Sequence, residues 1–185
     1  MIEEINSSEI EPPYYLNRED KLKWLMRVYG NDVIRLAYTY LKQKQLAEDV
    51  AQDVFIKCYE KMDTFRNDST YKTWIIKITV NRCKDVLKSW SFKNLLFTNY
   101  IENKKVDSSI ERKLYGDEEN QVLSQQIMEL PIKLREVIIL YYYQEFTLEE
   151  ISILLKVKPN TIKTRLHRAR LSLKKLLVGA SSING

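Results

Sequence analysis

The sequence is poor in chain breakers and in cysteine. Its 185 residues hold four Gly, four Pro and two Cys. So few breakers, with many Leu, Ile, Lys and Glu, favour helices. Strand-type alternation is absent and no internal repeat is found. Cys58 and Cys83 each fall in a helical pattern, without a CxxC pair or clustered His. That argues against a disulfide framework or a zinc site, and for two buried free thiols in a reducing compartment. No apolar run approaches the roughly 20 residues that span a bilayer. The first residues are acidic and do not read as a signal peptide, so the expected location is cytoplasmic.

What is present is a charge asymmetry. The formal net charge is +5 and 44% of residues are hydrophobic, enough for a core. Residues 1–20 carry six acids (Glu3, Glu4, Glu9, Glu11, Glu19, Asp20) against Arg18. Residues 156–178 carry eight basic residues and no acid. A basic C-terminal surface of this kind points to nucleic acid, with a solvated basic helix as the competing reading.

Apolar spacing predicts helices from about Glu19 to Leu41, Leu46 to Met62 and Thr70 to Ser89. In the first, Leu22, Leu25, Met26, Tyr29, Val33, Leu36, Ala37 and Tyr40 form the apolar side, and Gly30 is a candidate bend. In the second, Val50, Val54, Phe55, Cys58 and Met62 form it. Residues 1–17, with Pro12-Pro13, read as a flexible lead-in, and 179–185 as a tail. Residues 91–116 lose periodicity and read as an interdomain linker, although Phe92, Leu95, Leu96, Phe97 and Tyr100 are unusually apolar for one. Helices resume over Asp117–Glu129 and Ile132–Tyr143, with Pro131 at a helix start. Thr147 and Glu150 have capping-box spacing and open a helix to Leu155. The last helix runs from Pro159 to about Leu177. The fold class is therefore all-α: two small helical domains, residues 18–90 and 117–178.

Thr147 to Leu177 has the helix-turn-helix pattern. In its second helix Ile162, Leu166, Ala169 and Leu173, with Leu176 and Leu177, face the core at about 100° per residue. Lys163, Thr164, His167, Arg168 and Leu171 lie opposite. Lys163, Thr164, His167 and Arg168 are the base-proximal candidates: Arg168 suits a guanine edge, Thr164 a thymine methyl or base edge. Arg165 and Arg170 flank them as candidate phosphate contacts. His167, the only histidine, lacks the companions of a catalytic group.

Two further patterns lie in the first domain. Lys77, Asn81, Lys84 and Lys88 share one helix face, with Trp74 at its edge. Cations beside an aromatic suit single-stranded DNA; a solvated lysine face with Trp74 in the core stays open. Asp49, Gln52 and Asp53 share a face that suits a basic protein partner, though ordinary surface acids are the commoner case.

Residues 47–85 (AEDVAQDVFIKCYEKMDTFRNDSTYKTWIIKITVNRCKD) resemble region 2 of bacterial sigma factors of the extracytoplasmic-function type. Residues 130–177 (LPIKLREVIILYYYQEFTLEEISILLKVKPNTIKTRLHRARLSLKKLL) resemble their region 4. The two matches cover about half the chain, in the family's order. The resemblance implies a non-enzymatic specificity subunit, with no cofactor and no metal, that binds core RNA polymerase and promoter DNA. Region 4 is expected to read the −35 element as duplex and to dock on the β flap. Region 2 is expected to hold the β′ clamp helices through Asp49, Gln52 and Asp53. It would melt and capture the −10 element with the loop Phe65, Arg66, Asn67, Asp68, Ser69 and with Trp74, Lys77, Asn81, Lys84 and Lys88. The linker is expected to thread through the polymerase. An anti-sigma factor, in many members membrane-bound, would hold the protein inactive, and the chain would be a monomer when free of partners. Lys156 and Glu145 stand where the family carries Gly in turns; if φ is positive there, each costs about 1 kcal/mol. Asn67 likewise stands where Gly is frequent. The alternatives are a free-standing helix-turn-helix regulator and, far behind, a nucleic-acid enzyme, for which no carboxylate pair, metal-ligand cluster or phosphate loop is found.

Overall fold

The computed structural model describes residues 11–13, 15–65, 69–96 and 118–181. Its helices are α1 (Arg18–Leu41), α2 (Lys44–Lys61), α3 (Tyr71–Leu96), α4 (Glu118–Glu129), α5 (Ile132–Ile138), α6 (Leu148–Leu155) and α7 (Pro159–Ser181). There is no strand among the described residues. No helix there is long and apolar enough to cross a membrane. The chain divides into two compact units, α1 to α3 and α4 to α7.

The first unit is a three-helix bundle. Asn17 opens α1: its side-chain oxygen accepts the Asp20 N–H at 2.9 Å. Leu25, Tyr29, Val33, Leu36, Ala37 and Tyr40 are buried, as the spacing predicts. Met26 differs: it is 49% exposed. The helix passes through Gly30 without interruption, and a Cβ there would meet nothing within 4 Å. It ends at Lys42, whose φ of 56° is left-handed. Val50, Val54, Phe55 and Cys58 of α2, Met62 beyond it, and Ile75, Ile76, Val80 and Cys83 of α3 are all buried, and α3 packs on α1. The buried Thr79 hydroxyl donates to the Ile75 carbonyl at 2.8 Å, so it is not left unsatisfied. Both thiols are buried, and burial pushes each up to about 12. α3 runs on to Leu96 rather than stopping near Ser89, so 91–96 are helical. Phe97 and Tyr100 of the apolar cluster lie outside the described residues, as do the side chains of Phe92, Leu95 and Leu96.

In the second unit, the single helix expected over Ile132–Tyr143 changes register. α5 gives way at Ile139 to a π turn over Ile139–Tyr143. The Gln144 N–H reaches back to Ile139 and the Phe146 N–H to Leu140, both at 3.0 Å. The wider turn keeps Ile138, Ile139 and Leu140 buried together and leaves Tyr142 and Tyr143 outside, 52% and 41% exposed. Glu145 follows with φ 58°.

Candidate nucleic-acid interface

α6 and α7 are set by local chemistry. The Thr147 hydroxyl oxygen accepts the Glu150 N–H at 3.2 Å, and the Glu150 carboxylate accepts the Thr147 N–H at 2.8 Å. This is the reciprocal cap the spacing predicts. α6 ends at Lys156 with φ 56° and ψ 47°. Val157 N–H bonds to the Ser152 carbonyl at 3.0 Å and Lys156 N–H to Ile153 at 3.3 Å, the paired bonds of a Schellman ending. The Ser152 hydroxyl adds a bond to the Val157 carbonyl at 2.7 Å. Both turns where the resemblance leads one to expect Gly are thus left-handed, with Lys156 and Glu145 in place of it.

On α7, Ile162, Leu166, Ala169 and Leu173 are buried, while Leu176 and Leu177 are only half-buried. Lys163, Thr164, His167, Arg168 and Leu171 are all exposed along one face. The Thr164 hydroxyl donates to the Asn160 carbonyl at 2.8 Å. Its proton is therefore in use, leaving the methyl group and an acceptor lone pair for a ligand.

The two flanking arginines differ from the expectation. Arg165 is only 19% exposed in its side chain and pairs at 3.2 Å with Glu136 of α5, itself 7% exposed. It lies next to the core stripe and ties α7 to α5. Arg170 stays exposed but donates from Nε to the Tyr142 hydroxyl at 2.8 Å. Its guanidinium lies 5.7 Å and 5.5 Å from the Tyr141 and Tyr142 ring centres. The Tyr pair anchors it. Beside it, Leu123, Ile127, Ile138, Leu173 and Leu177 line an open apolar groove of about 490 Å³.

In the first unit, Phe65 and Trp74 of the expected strand-binding residues lie in an aromatic cluster. Phe65 sits 5.1 Å from Trp74, centre to centre. Tyr71, which spacing did not single out, joins them at 4.3 Å from Phe65 and 6.1 Å from Trp74. Tyr71 lies one helical turn before Trp74, the signal that could have revealed it. Trp24 extends the cluster from α1, 6.2 Å from Tyr71. Thr70 caps α3, its hydroxyl oxygen accepting the Thr73 N–H at 3.2 Å. Trp74 is half-buried, between the core and strand-binding readings. Beyond it Lys77, Asn81 and Lys88 are exposed and Lys84 is half-buried. Ser69 is exposed; Asn67 and Asp68 lie outside the described residues.

On α2, Asp49 and Gln52 are exposed. Asp53 is paired within the unit: Arg82 of α3 donates to its carboxylate from Nε at 2.8 Å and Nη2 at 2.6 Å. Gln52 instead borders an open groove of about 940 Å³ between α1 and α2, floored by Leu22, Met26, Phe55 and Ile56. Ile56 is 58% exposed there. The exposed Met26 and Ile56 make the α1–α2 surface apolar as well as acidic, which spacing alone did not show. Among the described residues no group of three His, Cys, Asp or Glu could hold a metal ion.

The two units thus present a capped helix-turn-helix in one and a basic, ring-bearing helix in the other. The family model for Sigma-70 region 2 matches residues 25–91, and that for Sigma-70 region 4 matches residues 120–173. The chain is 30% identical over 182 residues to the ECF RNA polymerase sigma factor SigW of Bacillus subtilis, covering 86% of this chain and 90% of that protein. It is 30% identical over 151 residues to the ECF RNA polymerase sigma-E factor of Escherichia coli K12, covering 77% and 78%. Among solved structures it is similar to the sigma factor RpoE of Bartonella quintana in complex with the anti-sigma factor NepR, with a TM-score of 0.71, 25% identity, and 86% and 97% of the two chains covered. CnrH, solved with the cytosolic domain of CnrY, shares the fold at a TM-score of 0.62 and 19% identity, covering 87% and 90%. The chain belongs to the sigma-70 family, in its extracytoplasmic-function group, and is a transcription initiation factor.

Proposed function

We propose that the chain joins core RNA polymerase in the cytoplasm and reads promoters at two elements. The α7 face of Lys163, Thr164, His167 and Arg168 docks in the major groove of the −35 duplex. Arg168 is the side chain with the reach and fork to pair with a guanine edge, and Thr164 offers its methyl to a thymine. Arg165 instead braces the recognition helix from within, and Arg170 stands at the rim. The −10 element is captured as a single strand by the loop Phe65–Ser69, including Asn67 and Asp68, and by Trp74, Lys77, Asn81, Lys84 and Lys88, with Tyr71 added. Rings hold unstacked bases while cations follow the phosphates.

Polymerase contacts are assigned to two further surfaces. Asp49, Gln52 and the α1–α2 groove take the β′ clamp helices; Asp53 contributes by fixing Arg82. The groove beside Tyr142 takes the β flap. The linker between the units threads through the polymerase. An anti-sigma factor restrains the free monomer, as NepR accompanies the similar RpoE.

The observation that carries this reading is the presence, in one chain, of a duplex-type recognition helix and a separate ring-and-lysine surface. The test adds the purified protein to core polymerase with a library of promoter fragments. Stable holoenzyme and transcripts from a restricted promoter set are expected. Tight duplex binding without any association with core polymerase would replace this reading with a free-standing regulator. Charge reversal at Asp49 should weaken core binding while leaving isolated duplex binding intact; equal core binding would remove the clamp assignment.

A further inference from the structure

The π turn sets a tyrosine pair against the recognition helix. In an unbroken α-helix Tyr142 would stand one turn above the buried Ile138 and Ile139. The widened turn over Ile139–Tyr143 carries it outward instead, to 52% exposure. There its hydroxyl oxygen accepts the Arg170 Nε–H at 2.8 Å. The Tyr141 and Tyr142 rings meet edge to face, 5.0 Å between centres, and lie 5.7 Å and 5.5 Å from the guanidinium.

A hydrogen bond and two rings thus hold one exposed side chain in place. A long surface side chain ordinarily loses rotamer freedom when it grips a ligand. For Arg170 that loss is taken on folding, so less remains to oppose binding. The pinning engages Nε and leaves both Nη groups for a ligand. The Tyr142 hydroxyl accepts from Arg170, and its own proton has no acceptor among the described residues. On α7, Lys163, His167, Arg170 and Lys174 follow one another at i, i+4, i+7 and i+11, a line of exposed basic side chains on a helix without an acid. A guanidinium fork with a phenol O–H beside it matches the unbridged oxygens of a phosphate.

We propose that Tyr142 is a positioning residue that sets Arg170 to clasp one backbone phosphate of the −35 duplex. This rests on the reading of α7 as the duplex-binding face. The clasp fixes how α7 sits on the backbone, while Thr164 and Arg168 read base edges. The π turn is the device that brings Tyr142 within reach of α7.

The test uses holoenzyme carrying the full chain and a fragment from the restricted promoter set. Single methylphosphonate linkages, each removing one phosphate charge, are placed around the −35 element. With the parent, neutralising the clasped phosphate should weaken binding about tenfold, as loss of a charge-assisted contact does. With Arg170→Ala that linkage should have no effect while the others keep theirs. Tyr142→Phe keeps the ring and removes only the hydroxyl; it should reduce the effect at the same linkage to about threefold. A tie that merely braces the second unit would lower its unfolding midpoint and leave every linkage as sensitive as in the parent, and that result overturns the proposal. Weaker holoenzyme assembly with unchanged linkage effects also overturns it, and assigns the pair to the apolar groove it borders and to a protein partner. Arg168→Ala separates this inference from the reading beneath it. If that variant loses −35 protection while the Arg170 and Tyr142 variants leave the linkage effects unchanged, the clasp alone is wrong. If it protects the −35 element as the parent does, α7 is not the duplex face, and the clasp falls with that reading.

Discussion

The two candidate DNA faces are built from different materials. The α7 face is polar and regular: Lys163, Thr164, His167 and Arg168, on a helix with no acid anywhere along it. The α3 face begins in rings, Phe65, Tyr71 and Trp74, and alternates cations with Asp85. Paired bases offer only their edges, so forked and hydroxyl side chains read them. Unpaired bases also offer their faces, which rings can use. The difference between the units matches the physical state of the DNA that each is proposed to meet.

The sharpest way to separate the units is to damage one. Arg165→Ala leaves the buried Glu136 carboxylate without its α7 partner. It should cost about 3 kcal/mol, read by hydrogen exchange and denaturant unfolding of α4 to α7, with the first unit unaffected. Loss of both units together would show that they do not fold independently.

High pH should act the other way, on the first unit. Cys58, Cys83 and Tyr29 are all raised to about 12 in the fold, mainly by burial, with Asp32 adding to the effect at Tyr29. The unfolded chain ionises first, from about pH 9 for the thiols and 10 for the phenol, so their contribution is complete below pH 9 and fades as pH climbs toward 12. All three tryptophans, Trp24, Trp74 and Trp90, precede the second unit, so tryptophan emission follows the first. Its unfolding midpoint should fall between pH 9 and 11. A flat midpoint would mean that these groups are solvated.

Binding should then split by face. Arg168→Ala should weaken −35 duplex binding by about 2 kcal/mol and relax preference at one base position. Trp74→Ala should weaken capture of a −10 single strand by about 2 kcal/mol, with Trp74→Phe largely restoring it. Each should leave the other element's binding unchanged. The smallest effect is expected at a turn. Lys156→Gly relieves a left-handed residue and should stabilise the second unit by about 1 kcal/mol without changing DNA binding. Destabilisation would show that the Lys156 side chain contributes more than its backbone costs.

Much of the fold could be read from local pattern. Spacing placed the buried faces of α1, α2 and α7, because a helix's own period decides which side turns inward. The Thr147–Glu150 cap was legible because its two partners are three residues apart. What could not be read depends on distant partners. Asp53 meets Arg82 and Glu136 meets Arg165, each across 29 residues. Nothing near Asp53 or Arg165 in the sequence marks either as engaged, so both looked like open surface groups. The π turn was also hidden, since a one-residue change of backbone register leaves the apolar pattern nearly intact. Met26 fits the apolar stripe of α1 yet faces the groove, because periodicity gives the side of a helix and not what covers it.

The account rests on two faces doing two different jobs. The most direct measurement treats promoter complexes of the holoenzyme with permanganate, which reports unpaired thymines in the −10 element, while footprinting the −35 element on the same DNA. With Trp74→Ala, −35 protection should persist and thymine reactivity should fall; with Arg168→Ala, −35 protection should fall first. If both variants lost both signals to the same extent, or neither variant changed either signal, the division of labour between α3 and α7 would be contradicted.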